Sequence, residues 1–270
     1  MATRPPEDLK PGVVLLHGFT GSAGSWAEEH RAPFERAGHA VVTPDLPGHG
    51  RRGLDRGDAC TLDEAMDVVR AAIHRAGEEG PDKPWLLGYS MGGRIALHAV
   101  VQCSESIAGL VLESASPGLA DAIDRETRRM SDAALAERLE RDGLGPFVTF
   151  WESLALFATQ RSADARRLDA QRAQRLASDP EGWAAALRGL GTGRLPSLWD
   201  SLEDVAVPTL VLVGQQDSKF VEIGARMSER VPGAEMTVID GVGHNVHLEA
   251  PGPWSGAILD FIEARARPLS

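Results

Sequence analysis

The sequence predicts an α/β protein: an open, mostly parallel sheet with helices on both faces and an all-helical block inserted late in the sheet. Three observations carry this. Six short apolar runs are continuous rather than alternating, the pattern of parallel strands covered on both faces. Helical periodicity fills most of the intervals between them. One long interval, from about Leu119 to Leu202, holds no strand pattern, so a helical cap is expected between two strands of one sheet. The chain then divides into a first core part over residues 1–118, a cap over 119–202 and a second core part over 203–270. At 270 residues, a single α/β domain with an insertion is the expected organisation.

In order, the first strand is Val13-Val14-Leu15-Leu16, and Ser25 reads as the start of a helix through Arg36, ended by Gly38. Ala40-Val41-Val42-Thr43 is the second strand. Thr61-Leu62-Asp63-Glu64 has the form of a capping box, after which Leu62, Ala65, Met66, Val69 and Ile73 share one helical face. Trp85-Leu86-Leu87 is the third strand. The helix that follows, Met91 to about Gln102, is apolar on most sides and should lie buried against the sheet. Leu110-Val111-Leu112 is the fourth strand. Breaks at Gly143-Leu144-Gly145-Pro146, at Asp179-Pro180 and between Gly189 and Pro196 divide the cap into helices. Thr209-Leu210-Val211-Leu212-Val213 and Met236-Thr237-Val238-Ile239 complete the strands, and Ile258, Phe261 and Ile262 give the last helix its inner face. The short stretch before Val13 leaves little room for a leading strand pair, so a reduced sheet is expected.

Hydrophobic and charged contents of 43% and 25% are those of an ordinary globular protein. A net charge of −11 argues against nucleic acid as a partner, since phosphate binding needs a basic face. The charge is uneven. Residues 119–200 hold 12 Arg against 13 Asp plus Glu, a balance of −1, while the remainder holds 16 Lys plus Arg against 26 acids, a balance of −10. For any one cap arginine, a surface role with i,i+4 partners is the simplest explanation. Cys60 and Cys103 lack metal-ligand spacing and read as free thiols of a reducing compartment. The N-terminal MATRPPEDLKPG has no signal-peptide core, and no apolar run approaches the ~20 residues that cross a bilayer. A cytoplasmic protein without metal, cofactor or membrane partner is expected, and a monomer is compatible with the sequence.

The chemistry concentrates at Gly88-Tyr89-Ser90-Met91-Gly92, a G-x-S-x-G between a strand and a helix. There, flanking glycines let a strained turn form and leave the serine hydroxyl clear at the helix N-terminus. Asp217 follows the fifth strand and His244 the sixth, so Ser90, Asp217 and His244 stand in the order of a nucleophile–acid–base triad, the acid orienting the histidine. His247 is the rival histidine and Glu113, after the fourth strand, the rival acid. Leu16-His17-Gly18-Phe19 follows the first strand; the Phe19 and Met91 N–H groups are the candidate oxyanion donors, each worth roughly 2.7–4 kcal/mol. His17 reads as a loop organiser, and Asp45 and His49 as parts of a turn bordering the site.

These residues resemble the α/β-hydrolase superfamily. Further segments, "LLHGFTGSAGSW", "DLPGHG", "LLGYSMGGR", "LESASPGL", "FWESLALF", "LRGLGTGRLPSLW" and "GQQDSKF", resemble one member family across almost the whole chain: the 2-succinyl-6-hydroxy-2,4-cyclohexadiene-1-carboxylate (SHCHC) synthases, pyruvate-eliminating lyases of menaquinone biosynthesis. The resemblance implies an α/β-hydrolase fold with Ser90, Asp217 and His244 as the triad. It implies substrate-binding cations at Arg94, Arg128 and Arg175, with Arg172 as the alternative to the last, and pocket walls at Tyr89 and Trp151. Leu154-Ala155-Leu156-Phe157 departs from the family pattern, which has a proline before the position of Leu156, and Leu176-Ala177-Ser178 replaces an Asn-rich stretch.

The implied substrate is a small polycarboxylate carrying an enolpyruvyl group. Buried carboxylates need cations, and arginine's planar fork binds them bidentately. Ser90, assisted by His244 and Asp217, would remove or relay a ring proton without forming an acyl-enzyme. Two alternatives remain: a carboxylesterase or thioesterase using the same triad through an acyl-enzyme, and a non-catalytic ligand-binding protein on this fold. Epoxide hydrolases and dehalogenases use an aspartate at the position of Ser90.

Overall fold

A computed structural model describes residues 10–50, 60–80 and 83–266; the reading of the N-terminal residues as lacking a signal-peptide core concerns residues mostly outside these. Six strands form one sheet: β1 (Lys10–Leu16), β2 (His39–Val42), β3 (Trp85–Tyr89), β4 (Gly109–Glu113), β5 (Thr209–Gly214) and β6 (Glu235–Ile239). Their order is β2-β1-β3-β4-β5-β6, with every neighbouring pair parallel. Winding reverses at β1, which lies between β2 and β3, and crevices beyond strand C-termini at such reversals hold ligands.

The helices are α1 (Glu28–Ala37), α2 (Leu62–Glu78), α3 (Met91–Cys103), α4 (Ala122–Asp142), α5 (Leu144–Ser153), α6 (Ala165–Leu176), α7 (Pro180–Leu190), α8 (Ser218–Arg230), α9 (Val246–Glu249) and α10 (Pro251–Ala266). Strand side chains alternate between faces, and both faces are covered. On one, Val14 and Leu16 of β1 join Met66 of α2, Ile95 of α3 and Met227 of α8. On the other, Val13 and Leu15 join Phe34 of α1 and Trp254 and Ile258 of α10. This two-sided burial explains why the strands are continuously apolar. Edge strand β6 departs from it, with no fully buried side chain.

The capping box at α2 forms: Glu64 N–H donates to Thr61 Oγ1 at 3.2 Å and Thr61 N–H donates to Glu64 Oε2 at 2.8 Å. Ser25 does not open α1, contrary to expectation. It belongs to a 3₁₀ turn, Ala23–Ser25, capped by Ser22, and its hydroxyl donates to Gln174 Oε1 of α6 at 2.8 Å; α1 begins at Glu28.

Between β4 and β5 the described chain is helical, running through α4 to α7. Leu139, Phe147, Val148, Trp183 and Leu187 form a small core of their own there, with Phe19 and Trp151 packed on it. Neither Cys60 nor Cys103 takes part in a disulfide among the described residues. Among the described residues no helix is long and apolar enough to cross a membrane, and no group of three or more His, Cys, Asp and Glu could hold a metal ion.

Candidate active site

Ser90 sits where β3 turns into α3, with φ +51°, a left-handed conformation that costs a non-glycine residue of order 1–3 kcal/mol. The neighbouring glycines make the turn possible. A Cβ at Gly88 would lie 2.4 Å from the Gly92 carbonyl oxygen, and one at Gly92 would lie 2.4 Å from that of Leu16. Ser90 is the N-cap of α3, yet its hydroxyl makes no capping hydrogen bond. It lies 3.1 Å from His244 Nε2 instead.

His244 Nδ1 is 2.6 Å from Asp217 Oδ2, which fixes the tautomer: Nδ1–H donates to the carboxylate and Nε2 faces the serine. Asp217 follows β5 and His244 follows β6, adjacent strands, so residues far apart in sequence meet at one end of the sheet. Both side chains are buried, and the rings of Phe220 and Tyr89 pack on the imidazole at 4.6 Å and 5.5 Å.

The β1–α1 loop reaches the site through Phe19. His17 Nδ1–H donates to its neighbour's carbonyl, that of Gly18, at 2.9 Å, and Nε2 accepts the Leu46 N–H at 3.0 Å. Burial holds the His17 imidazole down at about 4, so it is neutral near pH 7 and serves to join two loops. Phe19, Ser90, Met91 and His244 all line a cleft of about 1110 Å³, its open mouth included.

Tyr89, Trp151, Arg94 and Arg128 line the same cleft. Arg94 is 93% buried by its 7% exposure, and its Nη2–H donates to the Leu190 carbonyl at 3.1 Å while its Nε has no partner. Burial, reinforced by the nearby Arg128 charge, lowers it to about 10, so it stays cationic at neutral pH. Arg128, half-exposed, donates through Nε to Asp132 Oδ1 at 2.8 Å; Asp132 is buried and its Oδ2 is unpaired. The indole N–H of Trp151 is also buried without a partner.

Arg175 stands apart from these residues. It borders a small adjoining cavity with Tyr89 and His247, and its guanidinium is occupied by Thr20 Oγ1 at 3.1 Å and Glu152 Oε1 at 3.2 Å. Arg172 pairs with the same Glu152 and donates to Thr149 Oγ1, bordering a third, outer cavity. Lys219, Ser114 and Asp132 are among the lining residues that escaped the sequence reading. Lys219 follows Asp217 at the rim, its signal being the D-x-K-F pattern. Ser114 has φ +46° and a buried hydroxyl without a partner, which nothing in the residue pattern announces. Among the described residues, the charged side chains lining the cleft are Arg94, Arg128, Lys219 and Asp132, a local excess of cations in a chain of net charge −11.

A hydrogen-bonded serine–histidine–aspartate set at the strand ends of a parallel sheet, with the serine on a strained elbow, defines the α/β-hydrolase class of site. The chain belongs to the alpha/beta hydrolase family, whose profile matches residues 13–255. It is 34% identical over 93% of its length to a Bacillus subtilis (strain 168) protein provisionally named 2-succinyl-6-hydroxy-2,4-cyclohexadiene-1-carboxylate synthase, covering 89% of that protein. It is 32% identical to the synthase of the same name from Pectobacterium atrosepticum, over 94% of each chain. Among solved structures, MenH from S. aureus superposes with a TM-score of 0.89 at 33% identity, over 96% of both chains.

Proposed function

We propose that this chain is an SHCHC synthase: a carbon–oxygen lyase of menaquinone biosynthesis that eliminates pyruvate from 2-succinyl-5-enolpyruvyl-6-hydroxy-3-cyclohexene-1-carboxylate. The observation that carries the reading is the pairing, in one cleft, of the Ser90–His244–Asp217 set with the excess of cations at Arg94, Arg128 and Lys219. A neutral ester would leave the buried Arg94 guanidinium with an unpartnered Nε and no bound anion, at considerable cost; a polycarboxylate supplies the anion.

In this reading His244 Nε2 takes the Ser90 proton, and Ser90 Oγ removes a ring proton from the bound substrate. The electron pair shifts into the ring as a new double bond, the ring C–O bond breaks, and the enolpyruvyl group departs as the pyruvate enolate, which becomes pyruvate on taking up the proton that His244 then gives back. Asp217 stabilises the imidazolium from the moment it forms until it gives up its proton. The Phe19 and Met91 amides hold the oxyanion that develops during the reaction. Arg94 and Arg128 bind substrate carboxylates, Tyr89 and Trp151 wall the ring, and Arg175 braces the Thr20 loop through the hydroxyl it already holds. Residues 119–202 act as a cap over a core of residues 1–118 and 203–270. The substrate is a small molecule, no nucleic acid takes part, and two cysteines outside any disulfide suit a cytoplasmic setting.

The test is to supply the enolpyruvyl precursor and follow pyruvate release, with Ser90→Ala and Arg94→Ala as controls. Release that depends on both residues supports the lyase. No pyruvate, together with rapid cleavage of p-nitrophenyl esters that survives Arg94→Ala, would return the chain to the esterases, and an acyl-serine trapped during turnover of the precursor would overturn the proton-transfer role.

A further inference from the structure

Glu113 and His247, the rival acid and histidine of the sequence, are bound to each other. We propose that Glu113 is a positioning residue for the reaction, tying Ser90 and the His244 loop to one point at the end of β4; this rests on the reading that Ser90 and His244 carry the chemistry.

Glu113 acts with both its backbone and its side chain. It ends β4 opposite Tyr89 of β3, and its carbonyl accepts the Ser90 N–H at 2.9 Å, holding the elbow. Its carboxylate is fully buried and reaches the other way. Oε1 accepts the His247 backbone N–H at 3.1 Å and the ring Nδ1–H at 2.8 Å, and Oε2 accepts the Trp254 indole N–H at 2.9 Å. His247 lies on α9, a helix of 4 residues that begins two residues after His244. A helix that short does not hold itself in water, so its place depends on outside anchors.

Other ties hold this loop as well, among them Thr159 Oγ1–H to Glu249 Oε1 at 3.1 Å. His30 Nε2–H donates to the His247 carbonyl at 3.1 Å, and Glu249 Oε2 accepts the Gly243 N–H at 3.0 Å. Glu113 differs from these in belonging to the strand that also holds Ser90. Between the two halves stands Tyr89, its ring 5.5 Å from that of His244 and 4.8 Å from that of His247. The 3.1 Å separation of Ser90 Oγ and His244 Nε2 is therefore set by two loops that share one residue. A buried carboxylate suits the task because both its oxygens accept, so it can receive three N–H donors at once. A neutral amide of the same size cannot: it turns a donor toward either the histidine or the tryptophan, and the loop must shift.

Glu113→Gln is expected to lower kcat for pyruvate release about 100-fold, the scale of an ångström-sized misplacement, with KM changed by less than about threefold. In a His244→Ala background the same substitution should change the rate by less than about twofold, because the group it positions is gone. His247→Phe, which removes the ring donor, should match Glu113→Gln, while His247→Asn, which returns an N–H near the position of Nδ1, should stay within about threefold of wild type. The inference is overturned if folded Glu113→Gln keeps its kcat, if its loss persists undiminished in the His244→Ala background, or, should that variant not fold, if His247→Asn and His247→Phe behave alike. Full activity of Ser90→Ala and His244→Ala would instead break the reading of the site itself.

Discussion

Ser90, Asp217 and His244 stand on short loops at the ends of β3, β5 and β6, while Arg128 and Trp151 reach the same cleft from α4 and α5. The first group is held by strand register, a strained turn and buried hydrogen bonds. The second is held by side chains on helices: Arg128 is 43% exposed and tied to Asp132 one turn along its own helix. The seam between the two groups is aromatic, with Phe19 against Trp151 at 5.1 Å and Phe157 against His244 at 6.1 Å. At one place it is very close: a Cβ on Gly243, the residue before His244, would lie 2.2 Å from Thr159 Oγ1 of the helical segment. The difference teaches a division of labour. Rigid strand ends suit proton transfer, where tenths of an ångström count, and helix-borne cations suit a ligand that must enter and leave.

That contrast can be broken at several points. Ser90→Ala or His244→Ala should lower pyruvate release by about 1,000-fold or more with little effect on precursor binding, since general acid–base groups contribute at that scale. A variant that turns over at the wild-type rate would remove the strand-end loops from the chemistry. Arg94→Ala should reduce kcat/KM by about 100-fold, because it leaves a bound carboxylate without its buried partner; an unchanged value would mean that the cations are structural. Lys219→Met, at the exposed rim, should cost about tenfold in KM, with the loss shrinking as salt rises. A salt-independent defect would contradict a role in attracting the anion.

The smallest effect concerns stability at the seam. Burial holds His17 at about 4, and burial with the neighbouring His17 holds His49 at about 3, against 6.5 for a free imidazole. The unfolded chain takes up these protons below pH 6.5, and the native fold refuses them until far lower pH. The stability is complete above 6.5 and is lost as pH falls toward 4 and 3, by less than about 1 kcal/mol per histidine between pH 7 and 6. Urea midpoints at the two pH values measure the loss, and His49→Gln should reduce it; a loss unchanged by that substitution would assign the acid sensitivity elsewhere.

Much of this arrangement was legible in the residues themselves. Continuous apolar runs disclosed a parallel sheet because both of its faces are covered, and G-x-S-x-G disclosed the elbow because steric crowding at Gly88 and Gly92 excludes any side chain. Asp217 and His244 could be chosen because strand ends in a parallel sheet all point to one edge. Ser25 misled, since its hydroxyl satisfies a local turn and a residue of α6 that no local pattern reveals.

Local periodicity and steric limits within a few residues were enough to define the sheet, the elbow and the kinds of residue that surround it. How distant side chains divide among partners was settled by packing in three dimensions, through the tertiary fold. It gave Glu113 to His247 and His244 to Asp217, turned Arg175 toward Thr20 and Glu152, and left Arg94 and Arg128 in the cleft. Which of several chemically equivalent acids and cations meets which partner is a question of distance and burial in three dimensions, where an unpaired buried charge costs far more than a paired one.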